Sequence, residues 1–100
     1  MSYQISFTPE ANEDFSESTV WYRQQKKNLD TLFYQAVNKS IDIVSEQPFL
    51  FAIRFKGVRV APVKNFPFSI FYLVEEVKQM VVIIAILHNA RNPEIWQART

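Results

Sequence analysis

The stretch "MVVIIAIL", Met80–Leu87, is apolar at every position. A strand sends successive side chains to opposite faces. An extended segment of this kind therefore offers apolar surface on both sides and belongs in the middle of a sheet covered above and below. A second stretch, "FPFSIFYLV", is apolar on both parities from Phe68 to Val74 except at Ser69. The polar "EEVKQ", Glu75–Gln79, reads as the turn between them. Eight apolar residues are too few to span a bilayer, which takes about 20 in a helix. The pattern thus predicts a buried strand pair that needs a layer on each face.

The N-terminal half supplies one layer. "YQISF", Tyr3–Phe7, alternates apolar and polar residues, the period of a strand with one buried face. Thr8 is placed to cap a helix, Pro9 suits its first turn, and Glu10, Glu13 and Asp14 suit its positive end. Helix one is expected over about Pro9 to Lys26, with Ala11, Phe15, Val20, Trp21 and Tyr22 on its packing surface and Glu10, Glu13, Asp14 and Glu17 on a solvated face. Asn28 is placed to cap a second helix, Leu29 to about Glu46. There Leu29, Leu32, Phe33, Ala36, Val37, Ser40, Ile41 and Val44 recur at helical spacing. Pro48 opposes continuation. So short a link makes the two helices an antiparallel hairpin.

After Pro48 the period changes. "FLFAIRF" sets Phe51, Ile53 and Phe55 against Ala52, Arg54 and Lys56, and Gly57, the only glycine, marks a turn or bulge. "VRVAPV" follows, with Pro62 requiring a sheet edge or a bulge. The chain reads β-α-α-β-β-β, an α+β fold with a helical hairpin on one face of a mainly antiparallel sheet. The unassigned tail from His88 onward is then the cover for the other face, with Ile95 and Trp96 as its apolar plugs.

Composition limits the chemistry. One hundred residues, 48% apolar and with nine Phe, make a single densely packed domain over residues 1–100. The absence of Cys removes disulfides, thiolate metal sites and a Cys nucleophile and fits a reducing cytoplasm. The start "MSYQISF" has no basic and apolar leader pattern. A single His with no Cys or carboxylate cluster on the sheet suggests no metal, and one Gly excludes a phosphate-cradling loop; no cofactor is expected. Net charge is +1, but residues 1–50 carry four basic and seven acidic side chains while residues 51–100 carry seven and three. No acid lies between Glu46 and Glu75, where Arg54, Lys56, Arg59 and Lys64 sit. One-signed segments favour an anionic partner surface.

From Ile5 to Arg99 the sequence resembles the RelE/ParE superfamily of bacterial toxins. The most specific pieces are the block from Arg59 to Tyr72, with "FPFSIFY", and the ending "LHNARNPEIW" with Arg99. The resemblance implies the toxin of a type II toxin–antitoxin, or plasmid-stabilisation, module. Its partner would be a cognate antitoxin that wraps the helical hairpin and an exposed sheet edge in a hetero-oligomer, with no membrane involved. The RelE-like branch cuts mRNA on the ribosome; the ParE-like branch poisons DNA gyrase without hydrolytic chemistry of its own. A homologue that has lost toxicity is a third reading.

A ribonuclease needs a base, an acid and a positive group at the phosphorane. The candidates are His88, Arg59, Arg91 and Lys56, and His88 and Arg59 are expected to share one cleft. For a protein-binding toxin the target contacts would be Arg54, Lys56, Arg59, Lys64, Arg91 and Arg99. The departures favour the second branch. No Tyr lies beyond Tyr72, His88 is followed by Asn89, and residues 47–74 contain no Glu. The ending His88, Arg91, Pro93, Trp96 is closer to ParE-like sequences.

Overall fold

A computed structural model describes residues 2–100. Its order is β1 (Gln4–Phe7), α1 (Pro9–Gln25), α2 (Leu29–Glu46), β2 (Ile53–Phe55), β3 (Val58–Pro62), β4 (Phe68–Glu75), β5 (Met80–His88) and α3 (Glu94–Gln97). The five strands form one sheet in the order β1-β5-β4-β3-β2. β1 runs parallel to β5, and the other pairs are antiparallel. Four strands, not three, follow the helices, because the chain reverses at Lys56 and Gly57. Their φ angles of 45° and 82° are positive at both central positions, as a tight hairpin turn of the primed type requires. The alternating "FLFAIRF" yields only three strand residues.

The helical hairpin covers one face. Ala11 and Tyr22 of α1 and Phe33, Val37, Ile41 and Val44 of α2 pack on Ile70 and Tyr72 of β4 and on Val81, Ile83 and Ile86 of β5. Thr8 caps α1 through its side chain, which accepts from the Ala11 amide at 3.2 Å. Asn28 precedes α2, but in a left-handed conformation, and its side chain makes no capping bond. Arg23 instead ties the hairpin across its link, donating to Asp30 at 3.1 Å. That hydrogen bond holds the Asp30 carboxyl below its ordinary pKa. Not every expected packing residue is inward. Val20, Trp21 and Leu32 are 43%, 53% and 55% exposed, because the hairpin presents only one narrow stripe to the sheet.

The second face is closed by the tail. Val58, Phe71, Ile84, Ala85, Leu87 and Trp96 form a separate buried cluster. The Trp96 ring stacks on Phe71 at 4.7 Å and meets the edge of Phe55 at 5.9 Å. No helix among the described residues is long and apolar enough to cross a membrane.

Two departures from regular pairing position the side chains discussed below. Phe71 pairs with Ala85 but Tyr72 with Ile83, so Ile84 is an extra residue in β5. Ile53 pairs with Arg59 and Phe55 with Val58, so Arg54 is an extra residue in β2. Pro62 ends β3 beyond the reach of β2, where no partner needs its missing N–H.

The α2–β2 connection is locked from the sheet. The buried Tyr72 hydroxyl donates to the Pro48 carbonyl at 2.9 Å, and Arg59 Nη1 donates to the Phe51 carbonyl at 2.6 Å. Burial raises the Tyr72 phenol above its ordinary value of 10.0 against the weaker opposing effect of Arg59. Burial raises Tyr22 likewise. Below that ordinary value both phenols are neutral in the folded and unfolded chain. Above it the unfolded chain loses its protons first, so folding stability falls as pH rises past about 10. Urea unfolding at pH 8 and pH 11 should show the drop, and Tyr72→Phe should make it smaller.

Candidate functional site

The C-terminal end of β5 and the segment behind it frame a cleft of about 300 Å³ on the tail-covered face. Its polar rim is Arg54, Ser69, His88, Asn89 and Arg91, and its apolar walls are Val60, Phe71, Leu87, Pro93 and Trp96. Arg54 reaches it because of the extra residue in β2. Regular alternation would set Arg54 on the face opposite Phe55, and a bulge re-aims the side chain. The turn after β5 is held by its own backbone. Asn89 N–H donates to the Pro67 carbonyl at 2.8 Å and Arg91 N–H to the His88 carbonyl at 3.0 Å.

His88 packs edge-on against Phe68, with ring centroids 5.4 Å apart. Its Nδ1 accepts from the Ala90 N–H at 3.0 Å. In the neutral ring that contact assigns the proton to Nε2, leaving that nitrogen a donor rather than a base. Taking a proton at Nε2 would require the other tautomer and the loss of the Ala90 contact. The Ser69 hydroxyl donates to Asn89 Oδ1 at 2.6 Å, leaving the amide nitrogen as that side chain's donor.

The remaining basic residues are not all here. Arg59 was expected to face a cleft with His88, but it pairs with Tyr72 on the helix-covered face, and β4 separates β3 from β5. Its guanidinium lies 5.1 Å over the Phe49 ring and holds the Phe51 carbonyl. Lys56 stands at the tip of the β2–β3 turn, 5.4 Å over the Phe55 ring. Lys64 lines a groove against Ser40 and Ile43 of α2. Among the described residues no cluster of three or more His, Cys, Asp or Glu could hold a metal ion.

Arg99 differs most from its expectation as a partner contact. Its Nη1 donates to Asp14 Oδ2 at 2.6 Å and to the Ile84 carbonyl at 3.0 Å, and its Nη2 donates to Asp14 Oδ1 at 3.3 Å. The two side chains are only 19% and 10% exposed. Asp14 Oδ2 also accepts from the Ile86 N–H at 3.1 Å. β1 stops pairing with β5 at Phe7–Ile83, so the Ile84 carbonyl and Ile86 amide have no strand partner there. The ion pair satisfies both and pins the tail to α1. Asp14 was expected on a solvated face. Its position three residues after the fully buried Ala11 and four before Ser18 was the signal that it lies on the inward stripe.

The family model described as the ParE toxin of the type II toxin–antitoxin system parDE matches residues 5–93. A chain of the chromosomal ParDE system from P. aeruginosa superposes with a TM-score of 0.74 at 16% identity, covering 87% of this chain and 96% of that one. A chain of the RelBE2 toxin–antitoxin complex from Mycobacterium tuberculosis gives 0.61 at 18% identity over 91% and 95%. A chain of the intact E. coli RelBE complex gives 0.62 at 16% over 90% and 100%. Among curated protein sequences none matches. The structural likenesses define a small α+β fold shared by ParDE and RelBE chains. The chain belongs to the ParE toxin family of type II toxin–antitoxin systems.

Removing either partner of the Asp14–Arg99 pair strands the other in a largely buried place. Asp14→Ala or Arg99→Ala should lower stability by roughly 2–4 kcal/mol. The double variant should lose less than the sum of the two, as read from urea unfolding.

Proposed function

We propose that this chain is a ParE-like toxin that inhibits DNA gyrase by binding it and is neutralised by a cognate antitoxin encoded with it. The observation that carries the reading is the state of His88. The only histidine has its Nδ1 engaged by the Ala90 amide and its ring packed on Phe68, and no carboxylate or tyrosine lines the cleft beside it. Such a site offers positive charge and shape, the means of a binding protein, without the base-and-acid couple that RNA cleavage needs. The family match supports the same side. Of the expected target contacts, Arg54 and Arg91 line the cleft and Lys56 stands exposed at the turn tip. The pair Arg54 and Arg91 beside the turn at His88 is the one feature that favours the alternative, a ribosome-dependent mRNA endoribonuclease.

The purified chain should block supercoiling by gyrase and trap its cleaved-DNA complex, and should leave mRNA intact in a translating extract. His88→Ala should retain more than about half of the gyrase inhibition, whereas loss of a general base costs on the order of a hundredfold or more. Ribosome-dependent mRNA cuts abolished by His88→Ala would replace this reading with the alternative.

For the antitoxin, the outward side of the hairpin is the fitting surface. Val20 and Tyr34 line one open groove there and Val20 and Trp21 the next, and all three are 43–55% exposed. An amphipathic helix laid on that surface would bury them. Co-expressed with its genomic neighbour, the wild-type chain should co-purify with it, and Trp21→Asp should weaken that association at least about tenfold, as expected for a central aromatic anchor.

A further inference from the structure

The cleft at the end of β5 is built for an anion. Arg54 and Arg91 line it together beside the turn at His88, and no carboxylate lines it. Among the described residues neither arginine makes an ion pair. Arg54 is present only through the extra residue in β2, a departure from regular pairing of the kind found beside functional sites. Ser69 and Asn89 add neutral donors to the rim, and Val60, Leu87 and Pro93 add aliphatic wall. Like charges held together without a counter-charge repel one another, so an arriving anion gains from both guanidiniums at once.

The anion's source follows from the rings. Single-stranded nucleic acid is held by phosphate contacts together with bases stacked on open aromatic faces. The two rings in this cleft, Phe71 and Trp96, are each 7% exposed and stacked on one another, so they serve the core and offer no platform to a base. A carboxylate side chain needs no platform. It accepts two N–H bonds from one guanidinium and rests its short aliphatic stem on the wall.

We propose that the cleft between Arg54 and Arg91 seats a carboxylate side chain from an acidic polypeptide segment of the toxin's protein target. The inference rests on the protein-binding reading above and names the chemistry of the contact.

The test is a titration of the isotope-labelled full chain, followed by the side-chain Nε–H signals of its arginines. The probes are a capped peptide of alternating aspartate and glutamate, the matching asparagine–glutamine peptide, inorganic phosphate and oligouridylate. The acidic peptide should shift Arg54 and Arg91 saturably, and the neutral peptide should not. Arg54→Gln should weaken the acidic peptide about threefold to fivefold, as for one exposed charge pair, while Lys78→Gln at the far β4–β5 turn should leave it unchanged. Equal response to the neutral peptide, tighter binding of phosphate or oligouridylate, or indifference to Arg54→Gln would each overturn the proposal. The gyrase assay separates the two readings. Carboxylate binding without gyrase inhibition keeps the cleft and removes gyrase as target. Gyrase inhibition undiminished in Arg54→Gln and Arg91→Gln keeps the target and removes the cleft.

Discussion

Everything in this fold answers to the burial of β5. The strand is apolar on both faces, so it requires a cover on each side, and it loses its neighbour β1 beyond Ile83. The helical hairpin covers one face and the tail the other. The exposed stretch of edge is a different problem, because it consists of backbone groups that need hydrogen bonds rather than apolar contact. Asp14 and Arg99 solve it together, one accepting from the Ile86 amide and the other donating to the Ile84 carbonyl. The ion pair therefore joins the first helix, the central strand and the end of the chain. Desolvating two charges is costly in itself, and here each charge also fills a backbone vacancy that water would otherwise have to fill.

The same strand sets the location of the cleft. Because the tail must turn back at His88 to cover the sheet, the residues of that turn stand beside the open ends of β3 and β4. Strand pairing then sorts the basic side chains. The one in β2 brings Arg54 into the cleft, while regular β3 pairing sends Arg59 to the helix side, where it clamps the α2–β2 connection. Of six basic residues expected to meet a target, two lie in one cleft, and Arg99 has become part of the frame. The two arginines of the cleft thus stand at one end of the sheet, and an exposed apolar groove lies between the two helices on the hairpin. Target and antitoxin would then have chemically different surfaces to recognise.

Periodicity made the layers legible. The doubly apolar "MVVIIAIL", the three-and-four spacing of α2 and the Thr8–Pro9 helix start all correspond to observed elements, because each depends on local backbone geometry. The covering role of the tail was legible by elimination, since one sheet face had no other candidate. Inside the site, legibility stopped at pairing. His88, Arg54 and Arg91 are legible as residues, but strand alternation sets Arg54 on the wrong face, and the helical pacing of the acids in α1 sets Asp14 on a solvated one. A bulge adds one residue and reverses every later side chain, and nothing in "AIRFKG" marks it.

The sequence by itself determined that this chain would be a helical hairpin on a sheet whose two inner strands are buried on both faces. Hydrophobic burial is read by pattern, and a pattern of this length admits few other arrangements. Only the tertiary structure decided what each charged residue does. It joined Asp14 to Arg99 across 85 positions of chain, turned Arg59 toward Phe51, and gathered Arg54, His88 and Arg91 at the open end of the sheet. A charge's role depends on what stands within a few ångströms, and that distance is set by strand order and register rather than by spacing along the chain.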